Sequence, residues 1–138
     1  MIRGKLVVSL LLVVAVLLLA CCEGYTEMNS SSSEHQSGSS GNISASAGKA
    51  NGTVTKDLET QIDSAILDAT VTLSVGAGSY KIELLGENDE VTLALEAQGG
   101  ETVTGQGWMV TDAFGDASYR VTAVEAEDVD YRIEYTVR

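Results

Sequence analysis

The chain has 138 residues, with 20 acidic against 8 basic side chains, a net charge of −12, no Pro, one His and two Cys. That length allows one small domain rather than two. The acidic balance argues against nucleic acid as a partner and against electrostatic attachment to anionic lipid, since both need a basic surface.

The chain opens on a basic start, Met1-Ile2-Arg3-Gly4-Lys5, followed by fifteen residues in which only Ser9 is polar and which end on small Ala20, just before Cys21. The order basic, apolar, small is that of an export signal. The apolar run falls short of the roughly 20 residues that a spanning helix needs. Leu18-Leu19-Ala20-Cys21 resembles the lipobox of bacterial lipoproteins. The resemblance implies cleavage between Ala20 and Cys21, a diacylglyceryl group on the Cys21 thiol, and a chain held on the extracytoplasmic face of the cell membrane. Cys22 leaves a second assignment open, in which Cys21 would take the small-residue position. An uncleaved signal anchor and a plain secretory signal are the other readings. Each buried methylene contributes about 0.8 kcal/mol and stable anchoring takes more than one chain, which a diacyl group supplies. Residues 1–20 are thus expected to be removed, and loss of Arg3 and Lys5 would leave 20 acidic against 6 basic residues.

Residues 21–56 read as a flexible tether. From Ser30 to Gly52, nine of 23 residues are Ser and four are Gly, and no hydrophobic periodicity is visible. Such a segment buries too little surface to offset its ordering entropy. As a coil it would span on the order of 30 Å. The only His, His35, lies here. A lone His in a coil is not a catalytic candidate.

From Asp57 the pattern changes. Leu58, Ile62, Ala65 and Ile66 permit a short helix, although an edge strand fits as well. Alternation then dominates. Val71, Leu73 and Val75 share a face, as do Tyr80, Ile82 and Leu84, then Val91, Leu93, Leu95 and Ala97. Tyr119, Val121 and Ala123 follow, and Tyr131, Ile133, Tyr135 and Val137 close the chain. Turn signals separate the runs: Gly76-Ala77-Gly78, Gly86 to Asp89, Gly99-Gly100, Gly115-Asp116 and Glu127-Asp128. Residues 57–138 are therefore expected to form an all-β domain, a small antiparallel β-sandwich of six to seven strands. No segment between strands is long enough for a crossover helix.

Gly76-Ala77-Gly78-Ser79-Tyr80-Lys81-Ile82 is echoed by Gly115-Asp116-Ala117-Ser118-Tyr119-Arg120-Val121, and more briefly by Tyr131-Arg132-Ile133. Each delivers a strand with Tyr inward and a basic residue outward. Cross-strand ion pairs with Glu83 and Glu134 are the simplest use of those basic residues. An anion site is the sharper reading. Tyr119-Arg120-Val121-Thr122-Ala123 resembles the penultimate strand of fibronectin-type and immunoglobulin-like sandwiches. The resemblance implies a Tyr119 hydroxyl bonded back to the preceding loop.

After residue 56 there is no His and no Cys. This removes imidazole and thiolate as base, nucleophile or zinc ligand. There is no phosphate-binding glycine loop with its Lys. Seventeen Asp and Glu in that span make some carboxylate pair inevitable, so a pair alone does not indicate hydrolysis. No enzyme and no cofactor are expected. Two acidic stretches, Glu87 to Glu90 and Glu125 to Asp130, could offer oxygens to calcium, but neither has the EF-hand spacing. Trp108, in Gly105-Gln106-Gly107-Trp108-Met109-Val110, is the candidate ligand platform. Counted from Val103 it points out, and counted from Val110 it points into a core that it would share with the single Phe, Phe114. The sequence thus implies an anchored, non-catalytic module for a protein or envelope glycan. The alternative is a structural envelope lipoprotein that docks by a sheet edge.

Overall fold

The computed structural model describes residues 24–138. Leu18, Leu19, Ala20, Cys21 and Cys22, with the signal and lipid expectations they carry, lie outside the described residues. The strands are β1 (Thr26–Met28), β2 (Ser31–Ser37), β3 (Ser40–Glu59), β4 (Ile66–Leu85), β5 (Val91–Gln98), β6 (Thr102–Val110) and β7 (Asp116–Val137). All pair antiparallel. A single 3-10 turn, Glu87–Asp89, is the one helical element among them.

β7 is the central strand, flanked along its length by β3 and β4. Ser40–Ala47 pairs with Val129–Thr136, and Gly52–Glu59 with Asp116–Ala123. Likewise, Leu67–Val75 pairs with Val129–Val137, and Ser79–Leu84 with Tyr119–Val124. β2 and β6 extend the first half outward, giving a first sheet of order β2-β3-β7-β4-β6. β5 extends the second half of β4, giving a second sheet of order β3-β7-β4-β5. β1 pairs only with Lys49–Asn51 of β3, at the joint. One hydrogen-bonded sheet thus folds over on itself to make the sandwich.

The fold line has a local cause. Ala50 to Gly52 lies opposite Ala126 to Ala123, and Ala77 to Ser79 opposite Glu127 to Val124, so β7 carries one residue more than either neighbour. An extra residue bends its strand and raises the local twist. Gly78 takes φ +72°, and a Cβ there would strike the Glu125 backbone. Glu125 and Asp128 themselves adopt φ 45° and 51°. Gly76 to Gly78 and Glu127-Asp128, expected to reverse the chain, are therefore bends inside continuous strands. Residues 57–138 therefore hold fewer, longer strands than their pattern suggests, and the total of seven is reached with strands that start before Asp57.

Residues 26–56 correct the expectation of a tether, because they are strands and the folded domain starts before Asp57. The reason lies on the inner face. Ile43, Ala47 and Ala50 are buried there. Gly41 lies opposite Tyr135, whose ring occupies the place a Cβ would take. Small residues on β3 make room for large ones on β7, and the Ser, Asn and Lys between them face water. The segment from Leu58 to Ile66 is neither one helix nor one strand. β3 ends at Glu59, and a turn leads to Ile66, pinned by Thr60 Oγ1 donating to the Gly115 carbonyl at 2.7 Å.

The two inner faces meet in a tyrosine-rich core. Tyr80 and Tyr119 come from the second sheet and Tyr131 from the first, and all three are buried. Tyr80 and Tyr131 stack at 5.9 Å between centroids, while Tyr119 meets Tyr131 edge-on at 6.1 Å. The Tyr119 and Tyr131 hydroxyls bond at 2.9 Å. The expected bond from Tyr119 to the preceding loop is therefore absent, because Tyr131 lies across the core and takes it. Phe114, expected to share the core, is 86% exposed. Its loop is closed by Asp112 Oδ1, which accepts from Phe114 N and Asp116 N.

Candidate binding face

In β3, β4, β6 and β7 the odd-numbered residues of the first sheet face the core: Ile43, Leu67, Met109 and Ile133 are each at most 4% exposed. Even-numbered residues of those strands, and odd-numbered residues of β2, face outward. The register aligns them in rows across all five strands. One row runs Ser31, Ser46, Asp130, Ser74, Thr102. The next runs Ser33, Ser44, Arg132, Thr72, Thr104, and the next His35, Asn42, Glu134, Thr70, Gln106. The last ends Thr136, Asp68, Trp108.

This face is polar except at the end that carries Trp108, Ile66 and Val110, and it is tied down at its margins and by one central ion pair. Near the fold line Ser31 bonds Ser46 at 2.9 Å and Ser74 bonds Thr102 at 2.8 Å. At the other end Arg138 grips Asp68 at 2.7 Å, and its guanidinium holds the Asp68 carboxyl below the usual carboxylate range. Between them Arg132 pairs with Glu134 at 2.8 Å. Asn42, Thr72, Thr104 and Gln106 keep their side-chain donors and acceptors turned outward. Three adjoining hollows indent the surface. A hollow of about 550 Å³ is lined by Ser33, Ser44, Thr72 and Arg132. Smaller ones lie over His35 and Asn42 and over Thr70 and Gln106.

The outer face of the second sheet contrasts with it. Glu83 sits between Lys81 at 3.6 Å and Arg120 at 3.7 Å. Thr53 bonds Thr122, and Ser118 bonds Asp57. The outward basic residues of the Tyr-Lys/Arg echoes are thus used in ion pairs, two within a strand and one across strands. No anion is needed to satisfy them.

Trp108 takes the outward parity that counting from Val103 gives. Parity from Val110 misleads because Val110 is itself on the outward side, opposite Ile66. The indole is half-buried at the corner of the face. The Arg138 guanidinium lies 5.9 Å from its centroid, and Gly86 lies so close that a Cβ there would meet the ring at 2.7 Å. Thr92 of β5 fixes the backbone at this point, its hydroxyl accepting from Trp108 N at 3.2 Å and donating to Trp108 O. That bridge joins the β5 edge of one sheet to the β6 edge of the other.

At the N-terminal end a second polar cluster holds β1. Lys56 Nζ is 3.1 Å from Glu27 and 5.4 Å from the Tyr25 centroid. The Tyr25 hydroxyl is 3.3 Å from that of Tyr80. Burial raises the Glu27 carboxyl, but hydrogen bonds from Tyr25 and Lys56 outweigh it and leave the group below its ordinary value. Among the described residues no group of three His, Cys, Asp or Glu side chains is placed to hold a metal ion. No helix among them is long and apolar enough to cross a membrane.

No family model and no curated protein matches the chain. Solved structures do match at low identity. The CBM22-1 xylan-binding domain from Paenibacillus barcinonensis Xyn10C is 11% identical, with 85% of this chain and 86% of that one covered and a TM-score of 0.38. A chain of the disulfide-linked pili of Bacillus endospore appendages is 12% identical over 86% and 96%, with a TM-score of 0.43. The Podospora anserina GH26-CBM35 mannanase is 13% identical over 83% of this chain and 27% of that one, with a TM-score of 0.44. At these scores the likeness carries no argument about ligand or partner.

Proposed function

We propose that this chain is a non-catalytic binding module, anchored by a lipid on Cys21 to the extracytoplasmic face of a bacterial cell membrane, and that the outer face of the first sheet takes an envelope glycan. The observation that carries the reading is the five-strand polar face with its rows of unengaged hydroxyls and amides. Neutral donors and acceptors at fixed spacing suit a hydroxyl-rich ligand. A protein partner would call for apolar or aromatic anchors at the centre of the contact, and here the one aromatic, Trp108, stands at a corner. Arg132 adds a planar donor fork in the middle of the face.

The test is a titration of the chain lacking residues 1–20, with Cys21→Ser and Cys22→Ser, against envelope polysaccharide. Heat release and a change in Trp108 emission are expected, weakened by Asn42→Ala and Gln106→Ala and unaffected by Thr122→Ala on the opposite sheet. No heat and no spectral change across polysaccharide classes would remove the glycan reading. Mass spectrometry of the mature N-terminus tests the anchor, which an unmodified Cys21 refutes.

A second reading is docking by a sheet edge. Thr102–Val110 pairs with β4 alone and contains no charged residue. Natural edge strands are usually blunted by charge, Pro or a bulge, and here only Trp108 is capped. Peptide binding that is abolished by Gln106→Pro and untouched by Asn42→Ala would favour it.

A further inference from the structure

We propose that the fold-line end of the sandwich rests directly on the bilayer, with Met28 and Val124 as contact points; the inference depends on lipid attachment at Cys21. The folded body begins almost at the anchor. Gly24 is packed against Gly52, where a Cβ would meet the Gly24 carbonyl at 2.7 Å. Tyr25 is held by Tyr80 and Lys56. Only residues 21–23 separate the lipid from that packing. Three residues reach at most about 11 Å, against the ~30 Å of the expected coil. On so short a connection, the end that carries β1 faces the lipid.

Two exposed large apolar side chains, Met28 and Val124, lie at that end, and three, Ile66, Val91 and Phe114, at the other, so the short connection is what selects the end that meets the lipid. That end holds a hollow of about 850 Å³ bordered by Met28 and Val124, which are 61% and 58% exposed. Phe114, exposed further still, lies in the loop at the opposite end, before β7. Charge selects the kind of lipid. Glu101, Glu125, Glu127 and Asp128 lie at the same end, and Lys49 is 3.9 Å from Glu127. Within a Debye length of about 8–10 Å an anionic surface repels this end, so the partner is a zwitterionic headgroup layer. The polar face of the first sheet then stands upright on the membrane, open from the side.

The test uses the full lipidated chain with Cys22→Ser in phosphatidylcholine vesicles. An environment-sensitive dye is placed at Met28→Cys, Val124→Cys or Phe114→Cys, all exposed positions. Headgroup-region quencher lipids are then added. Quenching at 28 and 124 is expected to be several-fold that at 114, and to fall as anionic lipid is added at low salt. A lipid on Cys21 with equal, weak quenching at all three sites overturns this inference and leaves the anchor standing. An unmodified Cys21 overturns both.

Discussion

Ile43→Ala separates a folded Ser-rich segment from a tether. Ile43 is 4% exposed and lies opposite Ile133 on the inner face of the first sheet. The substitution removes three carbons. At about 0.8 kcal/mol per methylene plus the cost of the cavity, the loss is about 3 kcal/mol. That is a large share of the 5–15 kcal/mol typical of a domain. The melting temperature should fall by roughly 10 °C, and the urea midpoint by about 1–2 M at unchanged slope. Circular dichroism and Trp108 emission would follow unfolding in parallel. Ser33→Ala, on the exposed side of the same hairpin, should leave the unfolding free energy within about 0.5 kcal/mol of the parent. Equal midpoints for Ile43→Ala and the parent would refute the packing of this segment.

The hydroxyl pair of Tyr119 and Tyr131 makes a double-mutant cycle: each Tyr→Phe change should cost about 1–3 kcal/mol by stranding its partner, and the double change clearly less than the sum; additive losses would show that the two do not interact. Burial, the largest cause in each case, pushes the Tyr25, Tyr80, Tyr119 and Tyr131 hydroxyls far above their ordinary value. The unfolded chain therefore releases protons near pH 10 that the folded one keeps, so stability is intact below that pH and falls as pH rises above it. Absorbance at the phenolate band should appear together with unfolding, and a phenolate signal from the native state would contradict it. Gly107→Ala should destabilise by about 1–3 kcal/mol through overpacking, because the new Cβ meets Leu93 Cβ at 2.7 Å; a neutral result would mean that β5 and β6 pack more loosely than described.

The tyrosine-rich half of the fold is legible in the sequence because its inward residues are large: Tyr80, Ile82 and Leu84, or Tyr131, Ile133 and Tyr135, show their period at once. β3 is not legible, because its inward residues are chosen to fit beneath those large ones, and β2 is exposed almost throughout and pairs only with β3. Gly41, Ala45 and Ala47 carry almost no hydrophobic signal, yet they are the complement of Tyr135 and its neighbours. Bends pose a related problem. Gly76 to Gly78 carries the same chemistry as a reversal, and only pairing on both flanks shows that the chain continues. The candidate face escapes notice for a further reason, since its rows draw one residue from each of five strands, and no local motif contains them. Trp108, singled out from sequence, does lie on its margin.

The order of strands along the chain also governs when the molecule can close. β3 and β4 do not pair with each other in either sheet; both wait for β7, and Ser40 finds its partner there only at Thr136. Hairpins such as β2–β3 and β4–β5 can form early, but the core between the sheets cannot be sealed until the last 22 residues have been made. Contacts this distant in sequence make for slow folding. A polypeptide still emerging can therefore carry hairpins, but its two inner faces stay open to water until β7 arrives to join them.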